Sequence, residues 1–316
     1  MKILIYGAGV LGSLYAARFF QSGYDVTLLA RGKRYDEINE KGVILEGALS
    51  KECTVSRVPV CKTLDANENY DLIIVLVRAD QTAELLPVLA ANRNSKNILF
   101  MVNNPNGYNE WINSVGRERL FLGFAGAGGT RKNGVVTYHV VSPILQPTTL
   151  AELDGTKTNR IKQIAKIFEN AGFATAISSN MEAWQKTHVA WVSPAANAIL
   201  AAGGDGKTLS QRADLLNLLV DAIHEGFAVL QKLGIRVTPK KMKIITAMPK
   251  GLTRFIFKQW SKTQHFDTIA TRHTLAAYNE MKLLSEDFQA IARSANIPTP
   301  ALDQLHQYML DCSQQK

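Results

Sequence analysis

The residues with the clearest chemical meaning lie near the N-terminus, where Gly7-Ala8-Gly9-Val10-Leu11-Gly12 match the spacing G-x-G-x-x-G. An apolar run precedes them and a helix-like pattern follows, which is the context in which such glycines bind a dinucleotide. The first glycine permits a tight turn, the second lets the backbone approach a pyrophosphate, and the third lets the helix pack on its strand. The helix then directs unpaired N–H groups at the phosphates. The alternative is a glycine-rich turn without a ligand, which this context disfavours.

The end of the second predicted strand, residues 25–30, indicates which dinucleotide binds. NAD-selective domains place an acid there, about 20 residues beyond the glycines, to bind the ribose 2′-hydroxyl. Here the strand continues into Arg31-Gly32-Lys33-Arg34 and has no acid at its tip. Three cations suit a 2′-phosphate, and the planar guanidinium of Arg31 can bind it with two N–H groups. The sequence predicts NADP(H), with a solvated basic loop as the alternative.

The elements that must position these residues differ between the two halves of the chain. Before about residue 179, apolar strand-like runs alternate with helical patterns, as in a parallel sheet covered on both faces. After residue 180, helical periodicity dominates and is interrupted by glycine and proline. We predict an α/β chain with an N-terminal Rossmann-type dinucleotide-binding domain, residues 1–179. A C-terminal all-helical domain, residues 180–316, would serve substrate binding or dimerisation.

Several local features can be predicted more closely. Pro87 lies in a helical stretch, residues 80–91, which it is expected to kink or divide. Two runs, residues 135–141 and 148–153, are expected to add strands near the end of the sheet. In the second half, helices are expected at residues 181–202, 209–233, 240–245 and 274–294.

Composition argues against several classes of protein. Of the 316 residues, 46% are hydrophobic and 20% are charged, as in globular proteins. No apolar run approaches about 18 residues, and the first strand begins at Lys2, so we expect a cytoplasmic protein without a membrane span or signal peptide. Three cysteines and six dispersed histidines lack ligand spacing, so no metal is expected. The net charge of +9 is scattered, which favours an anionic cofactor and small-molecule substrate over nucleic acid.

Further polar segments lie where open α/β sheets bind ligands, just after the carboxyl ends of strands. Two such segments are Val77-Arg78-Ala79-Asp80-Gln81-Thr82 and Asn104-Pro105-Asn106-Gly107. Two more polar segments lie in the helical half of the chain, Trp184-Gln185-Lys186 and Arg272-His273-Thr274. With the glycine loop and Arg31, they make the chain resemble the ketopantoate reductase family over nearly its whole length. The resemblance implies an NADPH-dependent oxidoreductase that acts on a CH–OH group and reduces a 2-oxo acid to the 2-hydroxy acid.

The resemblance also implies roles for three residues. Lys186 matches the family's general acid, which protonates the carbonyl oxygen as hydride arrives. Asn104 matches the asparagine placed between nicotinamide and substrate, so it is assigned to both catalysis and cofactor binding. Arg78, assigned to cofactor binding, stands where the family usually has lysine; the charge is retained, but the geometry differs.

The family's other substrate contacts are missing. The asparagines expected four and eight residues after Lys186 are Ala190 and Pro194 here, and Leu275 replaces the acid that follows Arg272-His273-Thr274. These replacements make the predicted substrate site more apolar and put ketopantoate itself in doubt.

Three other polar residues are candidate substitutes for the missing contacts. Ser193 and Asn197 fall within about 20° of the direction of Lys186 on an ideal helix. Asn279 lies about one turn beyond residue 275. The alternatives are that Ser193 caps a break made by Pro194, that Asn197 bonds neighbouring backbone, and that Asn279 is solvated.

Two functions remain open from sequence. The first is an NADPH-dependent reductase of a small 2-oxo acid or related carbonyl acid, with pantothenate biosynthesis as one setting. The second is an NADP(H)-binding sensor or regulatory protein with a degenerate substrate site and little catalysis. The retained Lys186 favours the enzyme, whereas Ala190, Pro194 and Leu275 favour the sensor. A homodimer is one option for assembly, and neither nucleic acid nor a membrane is an expected partner.

Overall fold

The structure is a computed structural model that describes residues 1–314, with side chains described for residues 1–312. The chain forms two compact units. The α/β unit comprises Met1–Asn103 and Tyr108–Met181, whereas the helical unit comprises Asn104–Gly107 and the chain from Glu182 onward. The loop Asn104–Gly107 therefore belongs with the helices, although the residues on either side of it belong to the α/β unit.

The strands of the α/β unit are short, and those at its centre are almost completely buried. They are β1 (Lys2–Tyr6), β2 (Asp25–Leu29), β3 (Val43–Gly47), β4 (Cys53–Ser56), β5 (Val60–Cys61), β6 (Leu72–Val75), β7 (Ile98–Phe100), β8 (Leu120–Phe124), β9 (Ala127–Lys132), β10 (Val135–Val140), β11 (Thr148–Glu152) and β12 (Thr175–Ile177). Every residue of β6 and all but the first of β1 are buried, as expected for parallel strands covered on both faces.

In the part of the chain that the structure describes, eight of these strands form the main sheet in the order β12-β11-β8-β7-β6-β1-β2-β5. The strands from β8 to β5 in this order are parallel, and β11 pairs antiparallel with β8. The order reverses at β1, which pairs with both β2 and β6. A doubly wound sheet binds its ligand at this switch point. The predicted Rossmann-type fold followed by a helical region is confirmed.

The other four strands that the structure describes within residues 1–314 form a second, smaller sheet in the order β4-β3-β10-β9. The prediction that residues 135–141 extend the main sheet is wrong, because they form β10 of this second sheet. Residues 148–153 do supply a strand of the main sheet, β11. Local apolar patterning identifies a strand, but the partner strand is set by contacts distant in sequence.

The helices of the α/β unit are α1 (Val10–Gln21), α2 (Gly32–Lys41), α3 (Thr82–Ala91), α4 (Asn109–Val115) and α5 (Asn159–Asn170). An aromatic cluster holds α1 in place, with the Tyr15 ring centroid 4.7 Å from that of Phe173 and 5.2 Å from that of Phe168. Of the two effects predicted for Pro87, division of the helix is wrong, because α3 runs through it, and a kink stays a prediction. Pro87 is exposed, so water can hydrate the carbonyl that lacks an N–H partner.

The helical unit and the segment that enters it contain α6 (Met181–Ala201), α7 (Gly206–Gln211), α8 (Ala213–Lys232), α9 (Lys243–Ala247), α10 (Lys250–Trp260), α11 (Gln264–Phe266), α12 (Arg272–Ala276), α13 (Tyr278–Ser294) and α14 (Pro300–Gln314). The predicted helix at 181–202 is confirmed as α6, which passes through Pro194 without a break. The helix predicted at 209–233 is interrupted at Arg212, which has φ −94° and ψ 88°. No helix within residues 1–314 has the length and apolarity needed to cross a membrane.

Candidate cofactor and active site

The three glycines of the loop between β1 and α1 have different surroundings. Gly7 has φ 115°, and a Cβ there would lie 2.5 Å from the carbonyl oxygen of Leu76, just after β6. A Cβ on Gly12 would lie 1.7 Å from the carbonyl oxygen of Gly7, so α1 can pack on the loop because this residue is glycine. A Cβ on Gly9 would meet no described protein atom within 4 Å. The loop therefore has room where a pyrophosphate would approach the backbone.

The N-terminus of α1 is suited to an anion. Gly9 is the N-cap and provides no side-chain cap, and the first turn contains no acidic residue. The N–H groups of Val10, Leu11 and Gly12 have no acceptor within the helix, because the first turn of any helix leaves its amides unpaired. Together with the helix dipole, these amides can hold a phosphate.

Arg31 lies at the carboxyl end of β2 and forms the N-cap of α2. Burial raises the pKa of Tyr6, at the end of β1, and the positive charge of Arg31 partly opposes that rise. Arg31 is itself exposed, so its guanidinium is accessible beside the switch point. Residues 32–34 begin α2 and do not form a loop, whereas the choice between a 2′-phosphate site and solvated cations stays a prediction.

The Arg34 guanidinium already donates hydrogen bonds to groups of the α/β unit. Its side chain is 9% exposed and reaches back to the glycine loop. There Nε donates to the Ala8 carbonyl at 3.3 Å and Nη2 donates to Ser13 Oγ at 3.0 Å. Arg131 of β9, which sequence reasoning missed, also donates to the Ala8 carbonyl at 3.3 Å. No local signal could identify this pair, because β9 belongs to the second sheet.

Arg78 follows β6 and caps a short 3₁₀ turn, Ala79–Gln81. Its side chain is 43% exposed, and its Nε lies 3.2 Å from Asp80 Oδ1. An ion pair this exposed is weak, because water screens it. Arg78 therefore keeps donors available near the loop of Gly7, and its assignment to cofactor binding remains a prediction.

Asn104 opens the loop Asn104–Gly107 and is anchored to the helical unit. Its backbone N–H donates to Gln185 Oε1 of α6 at 2.6 Å. Its side chain closes the loop: Nδ2 donates to the Gly107 carbonyl at 2.8 Å, and Oδ1 accepts from the Asn106 N–H at 3.1 Å. The structure thus brings Asn104 against the helix that bears Lys186.

Lys186 lies in the second turn of α6. Its Nζ donates to Glu182 Oε1 at 2.5 Å, and the two side chains are 15% and 53% exposed, respectively. Its stem is therefore largely covered, while the carboxylate partner is in contact with water. An ammonium group held in this way can protonate a carbonyl oxygen and stabilise the alkoxide that develops.

Two of the three predicted substrate residues lie inside the helical unit, since Ser193 and Asn197 are 3% and 2% exposed. Asn197 Nδ2 donates to Ser285 Oγ of α13 at 2.9 Å, and that oxygen is hydrogen-bonded to His306 Nδ1 of α14 at 2.8 Å. Asn197 therefore links three helices, and not neighbouring backbone as the alternative proposed. Asn279, in the first turn of α13, is exposed. Substrate contacts by all three stay predictions.

The positions that depart from the family's pattern carry apolar side chains in two different settings. Ala190 is completely buried. It packs closely on α8, because a Cβ added to Gly226 would lie only 2.9 Å from the Ala190 carbonyl oxygen. Leu275 is 46% exposed. One of its methyl groups packs against Gly204, where an added Cβ would lie 2.9 Å from it. Pro194 does not break α6, so Ser193 does not cap a helix break.

His188 is packed between two tryptophans on α6. Its ring centroid lies 5.2 Å from that of Trp184 in a stacked arrangement and 5.8 Å from that of Trp191 edge-on. Burial lowers the pKa of His188 to about 3, and the nearby charge of His273 acts in the same direction. His188 is therefore neutral at pH 7.

The described residues contain no cluster of three or more His, Cys, Asp or Glu side chains that could hold a metal ion. The site that does fit a ligand is the glycine loop, with its open face at Gly9 and the uncapped first turn of α1.

Comparison with known proteins shows what the chain is similar to. The family model for ketopantoate reductase PanE/ApbA matches residues 3–155. The chain is therefore similar to the ketopantoate reductase family, by a match that spans just under half of its 316 residues. It is similar to the 2-dehydropantoate 2-reductase of Pyrococcus horikoshii, with 27% identity over 260 residues that cover 78% of each chain.

Solved structures show the same fold over the whole chain. A D-mandelate dehydrogenase in a ternary complex with NADH and anilino(oxo)acetate aligns with a TM-score of 0.79 and 17% identity, covering 100% of this chain and 99% of that one. A dimeric ketopantoate reductase from Staphylococcus aureus aligns with a TM-score of 0.71 and 16% identity, covering 100% and 99%. That D-mandelate dehydrogenase structure contains NADH, and the glycine loop described above is where this chain has room for a dinucleotide.

Proposed function

We propose that the protein is an NADPH-dependent reductase that converts a small 2-oxo acid, or a related carbonyl acid, to the hydroxy acid. The observation that carries the proposal is the 2.6 Å hydrogen bond from the Asn104 N–H to Gln185 Oε1. Gln185 immediately precedes Lys186, so this bond anchors the loop of one proposed catalytic residue beside the other. A family resemblance in sequence alone would not require such an anchor.

The two residues have separate tasks in the proposed reaction. A nicotinamide dinucleotide held at the glycine loop would supply the hydride for the carbonyl carbon. Lys186 donates a proton to the carbonyl oxygen, and Glu182, more than half exposed and 2.5 Å away, connects the ammonium group with solvent for reprotonation. Asn104 uses one N–H of Nδ2 to close its loop, so the second N–H is left to orient a ligand.

NADPH is proposed over NADH because of the charges at the end of β2. Arg31 is exposed there, and no carboxylate follows the strand before Asp36. A guanidinium can form paired hydrogen bonds with the 2′-phosphate, whereas an NAD-selective site would offer a carboxylate to the 2′-hydroxyl.

The experiment that tests the proposed function follows NADPH absorbance while a panel of 2-oxo acids is added. The panel includes ketopantoate and acids with apolar chains of similar size. Turnover of at least one acid, abolished in Lys186→Ala, is the expected result.

The second candidate function is an NADP(H)-binding sensor or regulatory protein. It is favoured by the burial of Asn197 in a bond to Ser285, which commits this amide to helix packing. Tight NADPH binding without turnover of any acid in the panel would support the sensor and contradict the reductase.

We also propose that the protein assembles as a homodimer, because the Staphylococcus aureus relative is dimeric. Light scattering on the purified protein would test this, and a monomeric mass at micromolar concentration would contradict it.

A further inference from the structure

Two guanidinium groups converge on one backbone carbonyl of the glycine loop. Arg34 Nε and Arg131 Nη1 each donate to the Ala8 oxygen at 3.3 Å, and Ser13 Oγ donates to the same atom at 3.3 Å. Ala8 lies between Gly7 and Gly9, the residues whose backbone must approach a dinucleotide. The shape of the loop is therefore held from its carbonyl side by two arginines from distant parts of the α/β unit.

The two arginines differ in how their charges are balanced. Arg34 lies 3.3 Å from Glu37 Oε2, and its Nη1 also donates to the Gly134 carbonyl at 3.2 Å. Arg131 is exposed, and no carboxylate within the described residues forms an ion pair with it. Burial and the neighbouring charge of Arg131 lower the pKa of Arg34, as expected for like charges held close together. The pair therefore leaves an unbalanced positive charge beside the loop.

An anion at this position would relieve the repulsion between the arginines. Arg131 uses one of its five N–H donors on Ala8, so the remaining donors can bind an oxyanion. The loop has space at Gly9, the residue after Ala8, because a Cβ there would meet no described atom within 4 Å. A phosphoryl group of a dinucleotide bound to this loop is the anion with the right charge and oxygens.

We propose that Arg131 binds a phosphoryl group of the dinucleotide, and that Arg34 is a positioning residue that holds the Ala8 carbonyl and so orients the glycine loop. This inference rests on the proposed dinucleotide binding and is independent of the identity of the reduced acid. The phosphoryl group is either part of the pyrophosphate or the 2′-phosphate, and the experiment distinguishes them.

The test measures binding and needs no turnover. Dissociation constants for NADPH and NADH are determined by nucleotide fluorescence for the wild type, Arg131→Gln and the control Lys132→Gln, which removes an exposed charge from the next position of β9. We expect Arg131→Gln to weaken binding at least about tenfold, the loss typical of one charge-assisted hydrogen bond, and Lys132→Gln to change it less than about twofold. Equal losses for both nucleotides indicate the pyrophosphate, and a loss confined to NADPH indicates the 2′-phosphate.

Equal affinities in Arg131→Gln and the wild type would overturn the role of Arg131. Failure of the wild type to bind either nucleotide would instead overturn the proposed function, so the two failures can be distinguished.

The role of Arg34 is tested with Arg34→Lys and Arg34→Met. Lysine keeps the charge but cannot reach Ala8 and Ser13 together as the planar fork does. We expect both variants to raise the dissociation constants for NADPH and NADH, with lysine recovering part of the affinity that methionine loses. A melting temperature lowered in both variants with unchanged nucleotide affinity would show that Arg34 is merely structural.

Discussion

Replacing Lys186 with methionine separates proton donation from folding, because methionine retains an apolar stem and removes the ammonium group. General acid catalysis contributes about 10²–10⁴-fold, which corresponds to about 2.7–5.5 kcal/mol of transition-state stabilisation. The effect on stability is expected to be far smaller. The lost ion pair joins Lys186 to a carboxylate that is 53% exposed, one helical turn away, and such pairs contribute about 0.3–0.5 kcal/mol.

The assay compares single-turnover NADPH oxidation, NADPH affinity and urea-induced unfolding in Lys186→Met and the wild type. A matched control is Lys282→Met, which removes another Lys–Glu pair with the same helical spacing, Nζ of Lys282 lying 3.4 Å from Glu286 Oε1. We expect a rate at least about 100-fold lower in Lys186→Met, with unchanged NADPH affinity, and a near-native rate in Lys282→Met. A Lys186→Met rate within about threefold of the wild type would refute the assignment of Lys186 as general acid.

Three further outcomes are expected. Arg31→Ala should remove most of a roughly 10–100-fold preference for NADPH while leaving NADH affinity nearly unchanged; equal wild-type affinities for the two nucleotides, measured by titration, would contradict this. Ketopantoate should be a poor substrate, with kcat/KM below about 10⁴ M⁻¹ s⁻¹ and below that of an acid with a more apolar chain, because Ala190, Pro194 and Leu275 supply no polar side-chain contacts; steady-state kinetics showing efficient ketopantoate reduction would refute this reasoning. Burial keeps the pKa of His188 at about 3, whereas the pKa of an unfolded histidine is about 6.5. Between these two pH values the folded state binds fewer protons than the unfolded state. His188 therefore lowers the free energy of unfolding as the pH falls from about 6.5 toward 3. His188→Phe should make that fall shallower in urea denaturation at pH 4.5 compared with pH 7, and an unchanged pH dependence would argue against burial of a neutral imidazole.

The parts of the structure that follow from local pattern were predictable from sequence. The glycine spacing, the strand before it and the helix after it are local, and the structure gives Gly7 and Gly12 the close contacts that make glycine necessary. The roles of Arg34 and Arg131 were not predictable, because they depend on how a second sheet pairs.

In the second half of the chain, the geometry of an ideal helix predicts which side chains share a face but does not predict what covers that face. It placed Ser193 and Asn197 near the direction of Lys186 but could not show which helices cover that face. The contact of Asn197 with Ser285 spans 88 positions of sequence, and no periodicity within α6 reports it.

The loop Asn104–Gly107 has a consequence for exchanging parts between relatives. The helical unit is encoded in two separate stretches of sequence. One is the four-residue loop Asn104–Gly107, and the other is the chain from Glu182 onward. A chimera joined at a single crossover near residue 180 would combine helix α6 of a relative with the original loop. The Asn104 N–H would then keep its acceptor only if the relative also has glutamine at the position of Gln185. Grafting a new helical half onto this dinucleotide-binding half therefore requires two coordinated replacements, and the two stretches are expected to diverge together in evolution.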